Sequence, residues 1–140
     1  MDKLFALDYG RARIGIASCN SILRIPTPFE TFKTQDTLEK TAKALGELLL
    51  KHKPKIVVVG LPLELSGKEG EMAKEVKQFI EILKGFMPDI AFEFFDERLT
   101  SAQAEKAMIG MDFSRKKRAK SSDTMAACLI LEGYLSMKHF

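Results

Sequence analysis

The stretch Leu4-Phe5-Ala6-Leu7-Asp8-Tyr9-Gly10-Arg11-Ala12-Arg13-Ile14-Gly15-Ile16-Ala17 limits what this chain can fold into more than any other. The uninterrupted apolar run from Leu4 to Leu7 reads as a strand buried on both faces. It ends in a carboxylate, Asp8, and a buried carboxylate is costly unless something positive meets it. A turn containing Gly10, Arg11 and Arg13 follows, and a second apolar run starts at Ile14. Residues 4–8 and 14–18 then form a hairpin with a connection of about five residues. Asp8 is the first fixed point of a candidate site, if the rest of the chain supplies its partners.

The chain has room for one such site. Its 140 residues, 46% hydrophobic and 29% charged, suit a single soluble domain spanning 1–140. A domain of this size buries roughly two-thirds of its unfolded surface. No apolar run approaches the roughly 20 residues of a membrane span, and the N-terminus leads straight into a strand rather than a signal peptide. Cys19 and Cys128 lack metal-type spacing and read as reduced thiols of a cytoplasmic protein. A net charge of +3 permits a nucleic-acid partner without arguing for one.

After the hairpin, Pro26 and Pro28 flank a third strand at 28–33, placed at a sheet edge because proline cannot donate to a ladder. Asp36 and Glu39 have capping-box spacing ahead of Leu38, Ala42, Leu45 and Leu49, which recur on one helical face. Ile56 to Val59 is a β-branched, wholly apolar strand of the type at the centre of a parallel sheet. Ser66 and Glu69 offer a second capping box for a helix with a stripe through Met72, Val76, Phe79, Ile80 and Leu83. A strand over Ile90–Phe95 ends in Asp96-Glu97-Arg98, and Thr100 with Gln103 opens a short helix to about Ile109. Phe5, Phe79, Phe92, Phe94 and Phe95 read as core. Ser121 to Asp123 caps a last helix whose apolar face is Ala126, Ala127, Ile130, Leu131 and Tyr134. Three antiparallel strands followed by alternating strands and helices make an α/β mixed sheet flanked by helices.

Three acidic positions border apolar elements. Asp8 ends the first strand, Asp96 and Glu97 end the last, and Asp123 is aligned with the buried stripe of the final helix. Carboxylates gathered at one sheet end would repel one another, and a hard divalent cation, Mg²⁺ or Mn²⁺, removes that conflict. Each also has a plainer reading. Asp8 can sit in a turn, Asp96 at a solvated strand end, Asp123 at a helix dipole, and Arg98 in a surface ion pair. Arg115, Lys116, Lys117, Arg118 and Lys120 put five cations in six positions, either a solvated loop or a phosphate-binding segment beside Asp123. Arg11 and Arg13 add phosphate contacts on the second reading. Without interleaved aromatics, such contacts read backbone and shape rather than base sequence.

The motifs Leu7-Asp8-Tyr9-Gly10, Arg13-Ile14-Gly15, Val58-Val59-Gly60-Leu61-Pro62, Asp96-Glu97-Arg98-Leu99-Thr100 and Ser122-Asp123 with Ala126-Ala127 stand in this order along nearly the whole chain. In this combination the sequence resembles the YqgF or RuvX-like family of Holliday junction resolvases and pre-16S rRNA nucleases. The resemblance implies a ribonuclease-H-like fold and a metal-dependent nuclease with acids at Asp8, in the Asp96–Glu97 pair (Glu97 favoured) and at Asp123. It implies processing of the 5′ end of the small-subunit rRNA precursor, with Arg98 and Thr100 positioning an acid or contacting phosphate and Lys120 in a basic region. An acid common in the family after the second strand is missing here, where the chain reads Ser18-Cys19-Asn20-Ser21. Two other classes compete. One is a non-catalytic nucleic-acid-binding module dominated by the basic run. The other is an actin-like ATPase, for which 140 residues leave no second lobe. Resolving a four-way junction would call for a two-fold homodimer, whereas a monomer suits RNA processing.

Overall fold

A computed structural model describes residues 2–99 and 115–138, without the side chains of 115–122. Five strands, β1 (Lys3–Tyr9), β2 (Arg13–Asn20), β3 (Thr27–Lys33), β4 (Pro54–Leu61) and β5 (Ala91–Asp96), form one sheet in the order β3-β2-β1-β4-β5. β1 runs antiparallel to β2 and parallel to β4, β3 is antiparallel to β2, and β5 is parallel to β4. Among the described residues, three helices, α1 (Leu38–Leu50), α2 (Glu71–Phe86) and α3 (Arg115–Met137), cover the sheet, and a short 3-10 turn (Glu97–Leu99) follows β5. The expected mixed sheet, with a central apolar strand and a proline-bearing edge strand, is the one observed.

Alternation along β1 sorts its side chains into two cores. Phe5, Leu7 and Tyr9 join α1 and α2 on one face, while Leu4 and Ala6 join Ala127, Ile130, Leu131 and Tyr134 of α3 on the other. Period two therefore sends Asp8 to the α3 face. Gly10 serves the tight connection to β2, where an added Cβ would lie 2.6 Å from the Arg13 carbonyl oxygen. Helix α3 is fixed at its far end by Arg24, whose Nη2 donates to the carbonyls of Leu135 at 2.6 Å and Lys138 at 2.8 Å. Arg24 holds φ at 56°, a left-handed conformation unusual for a residue with a Cβ.

Several boundaries differ from the sequence expectation. The cap of α1 is Thr37, whose hydroxyl accepts from the Lys40 backbone N–H at 3.1 Å, while Asp36 pairs with the Lys40 ammonium. Ser66 and Glu69 do not cap α2, which starts at Glu71 after Gly70. Residues 64–68 close on themselves instead, with Gly67 donating to the Glu64 carbonyl, and Glu69 pairs with Lys77. The last helix begins at Arg115 rather than at Ser121–Asp123, because a run of Arg, Lys and Ala is itself strongly helix-forming. Phe94 is not core: on the edge strand it stays partly exposed beneath the Lys77 ammonium, 5.8 Å from the ring centroid. The helix expected over 100–109 lies outside the described residues.

Both tyrosines of the chain donate to a glutamate, one on each face of the sheet: Tyr9 to Glu75 at 2.8 Å and Tyr134 to Glu93. Burial first, then these hydrogen bonds, push both phenols far above the usual range. A raised folded value means that the unfolded chain ionises first. The stabilisation is full below pH about 10 and is lost as pH rises beyond it. Absorbance at 295 nm is expected to show no tyrosinate in the folded protein at pH 10.5, its appearance coinciding with loss of the circular-dichroism signal. Tyrosinate appearing with the fold intact would contradict this.

Candidate active site

Two glycines flank Asp8 and set what can approach it. Gly15 is its register partner on β2, and the β1–β4 register, which pairs Leu7 with Val59, brings Gly60 alongside on β4. A Cβ at Gly15 would lie 2.0 Å from the backbone oxygen of Asp123, so the α3 backbone rests directly on the sheet there. A Cβ at Gly60 would meet Ile130 Cδ1 at 2.4 Å and Glu97 Cγ and Cδ at 3.2 Å. The strands on either side of Asp8 thus carry glycines against which the Asp123 backbone and the Glu97 side chain pack. Asp8 and Glu97 are buried, at 6% and 4% exposure, and the Asp123 side chain is largely so.

The two neighbours Asp96 and Glu97 have different surroundings. Asp96 is engaged by Arg98, whose Nη2 lies 2.7 Å and Nε 3.0 Å from Oδ2 and whose backbone N–H donates to Oδ1 at 2.9 Å. These bonds, the guanidinium's first, hold the Asp96 carboxyl below the usual carboxylate range. Arg98 also donates to the Leu65 carbonyl at 3.2 Å, tying the end of β5 to the loop after β4. Glu97 is the member of the pair that packs on Gly60 toward the α3 face.

The predicted basic residues fall in different places. Arg13 reaches one of the acids: its Nε donates to Asp123 Oδ2 at 2.8 Å. Arg11 goes to the other face, where its Nε meets Glu75 at 3.0 Å beside a cleft of about 310 Å³ lined by Tyr9, Thr37 and Thr41. The backbone of Arg115, Lys116, Lys117, Arg118 and Lys120 forms the first turns of α3; their side chains, and Thr100, lie outside what is described. Sequence reasoning missed the roles of Gly15 and Gly60. A glycine inside an apolar strand is the available signal, since it marks close approach of another backbone.

Carboxylates as donors suit a hard divalent cation rather than zinc or copper. Among the described residues, no group of three or more His, Cys, Asp or Glu side chains is already arranged to hold a metal ion. Asp123 is occupied with Arg13 instead.

A five-stranded mixed sheet of this order, with acids at the ends of β1 and β5 and on the helix across them, defines a ribonuclease-H-like protein. Two solved structures share the fold at 14% identity. One is titled "T. thermophilus RuvC in complex with Holliday junction substrate" (TM-score 0.62, covering 98% of this chain and 96% of that one). The other is a Thermus thermophilus RuvC structure (TM-score 0.58, 96% of each).

The chain belongs to the RuvX family, described as Holliday junction resolvase, which matches residues 2–137. Similar proteins include one from Endomicrobium trichonymphae, 41% identical over 139 residues (99% of this chain, 98% of that one). Another, from Sulfurihydrogenibium sp. (strain YO3AOP1), is 38% identical over 141 residues (100% and 94%). Both carry the name "Putative pre-16S rRNA nuclease". Among the described residues, no helix is long and apolar enough to cross a membrane.

Proposed function

We propose that this protein is a divalent-metal-dependent nuclease of the cytoplasm that hydrolyses phosphodiester bonds in structured RNA, its substrate the 5′ side of the pre-16S rRNA. The observation that carries this reading is that the two glycines flanking Asp8 on the neighbouring strands lie against Asp123 and Glu97. The names of the family and its relatives support the substrate.

Asp8, Glu97 and Asp123 would hold Mg²⁺ or Mn²⁺; Asp96 is the weaker candidate because Arg98 engages both of its oxygens, through guanidinium and backbone N–H, whereas Arg13 meets Asp123 at one oxygen. A divalent cation held there would supply Lewis-acid stabilisation of the phosphodiester oxygens and an activated water. The chain's own part is to fix carboxylates on rigid strand ends and, for the buried Asp8 and Glu97, to keep bulk water from screening them. Arg13 and the basic first turns of α3 supply the charge that binds a phosphate backbone. Arg11, Arg98 and Thr100 stay secondary candidates for that contact.

The shared fold of RuvC, seen with a Holliday junction substrate, favours a second reading in which branched DNA is cut by a homodimer. A Mn²⁺-dependent assay on precursor rRNA, single-stranded DNA and a four-way junction separates the two. Preferential cleavage of the rRNA by a monomer is the expected result. Symmetric cutting of the junction by a dimer would favour the second reading. Tight RNA binding with no cleavage in either metal would leave only a binding module.

A further inference from the structure

Asp123, the acid contributed by α3, already holds a cation of the chain's own. Its Oδ2 accepts from Arg13 Nε at 2.8 Å, an ion pair between residues 110 positions apart. Arg13 opens β2 on the α3 face, because Ile14 and Ile16 join the opposite core. Its register partner on β3 is Lys33, and a cavity of about 200 Å³ lined by Ala12, Arg13, Thr31 and Lys33 opens beside it. Like charges directly opposite one another on neighbouring strands destabilise a sheet. Asp123 offsets that repulsion for as long as it holds Arg13.

We infer that Arg13 is a displaceable counter-ion: it neutralises Asp123 while no divalent cation is bound, and when a cation takes Asp123 the guanidinium is released, beside Lys33, to a substrate phosphate. The inference rests on the nuclease reading for its cation and its phosphate, and it adds an order to their binding. A divalent ion and an Arg13 salt bridge cannot both have the same carboxylate oxygen. Binding of the ion therefore creates a phosphate site, and by linkage a bound phosphate backbone favours the ion. The pair is half exposed on the arginine side, which makes it weak enough to exchange.

A test uses the whole protein, Mn²⁺ by calorimetry, and a fluorescein-labelled RNA hairpin by anisotropy in EDTA. Arg13→Gln is expected to bind Mn²⁺ about two- to fivefold tighter, the competing cation having gone. A purely structural Arg13, needed to place Asp123, predicts the opposite sign. Asp123→Asn is expected to bind the hairpin in EDTA about two- to fivefold tighter than wild type, with the salt slope steeper by about one. That gain is expected to vanish in the double variant R13Q/D123N, because it runs through the freed guanidinium. Unchanged or weaker Mn²⁺ binding by Arg13→Gln overturns the inference, as does an equal gain from Asp123→Asn in both backgrounds. Failure to take up Mn²⁺ at all overturns the inference and the nuclease reading together. The full pattern in a protein that cuts no nucleic acid sustains the inference and overturns the nuclease reading alone.

Discussion

Asp8→Asn is expected to lower Mn²⁺-dependent cleavage on the order of a thousandfold while the fold is retained. Asp8 is buried on the α3 face of the central strand, in the neighbourhood of a second buried acid, Glu97. The amide keeps the shape of the carboxylate but loses its charge. A charged group serving a developing charge in a water-poor site is worth about that factor when removed. The fold should persist, because asparagine fills the space of aspartate. Initial cleavage rates and thermal midpoints measured on the same preparation decide the matter. Retained activity would remove Asp8 from the chemistry. Activity lost in step with the midpoint would make it a structural residue.

Gly15→Ala should give the largest change in stability, a loss of about 3 kcal/mol or more. The new methyl would sit 2.0 Å from the Asp123 carbonyl oxygen, which belongs to the α3 backbone and cannot rotate aside as a side-chain tip does. Overpacking a core ordinarily costs about 1–3 kcal/mol, and a backbone obstacle places this case at or above the top of that range. At this chain length the thermal midpoint should fall by about 10 °C. Cleavage should fall too, since α3 must lift and carry Asp123 with it. Gly85→Ala is the control. A Cβ there meets nothing within 4 Å, and alanine in a helix is favoured over glycine by roughly 1 kcal/mol, so this variant should be slightly more stable. Denaturant titration of the two variants beside wild type is sufficient; equal stabilities would refute the close packing of α3 on β2.

The strands were legible because their apolar runs carry their own burial: Leu4–Leu7 and Ile56–Val59 can hardly be anything but interior. The acids were legible for a related reason, as charges at the ends of such runs or in register with an apolar stripe. What the sequence hides is pairing at long range. Nothing local marks Arg13 as the partner of Asp123, or Arg98 as the partner of Asp96 rather than of Glu97. The two arginines of the first turn, two positions apart, would share a face in a regular strand, yet they part to opposite faces because Arg11 sits in the bend and only Arg13 enters β2. The start of α3 was misplaced because Ser121 to Asp123 resembles a cap while the cations ahead of it are equally good helix formers.

Helix α3 follows the five described strands, and it carries both Asp123 and the side chains that cover one face of the sheet. During synthesis the N-terminal part emerges first. A ribosome making this protein therefore exposes the sheet with Leu4, Ala6, Val58 and Phe95 uncovered before it releases the helix that docks on Gly15. The same docking step that hides this apolar surface brings Asp123 onto β2. On the proposed assignment of Asp123 as a ligand, a chain whose last helix has not yet docked would lack that carboxylate and would cut no nucleic acid.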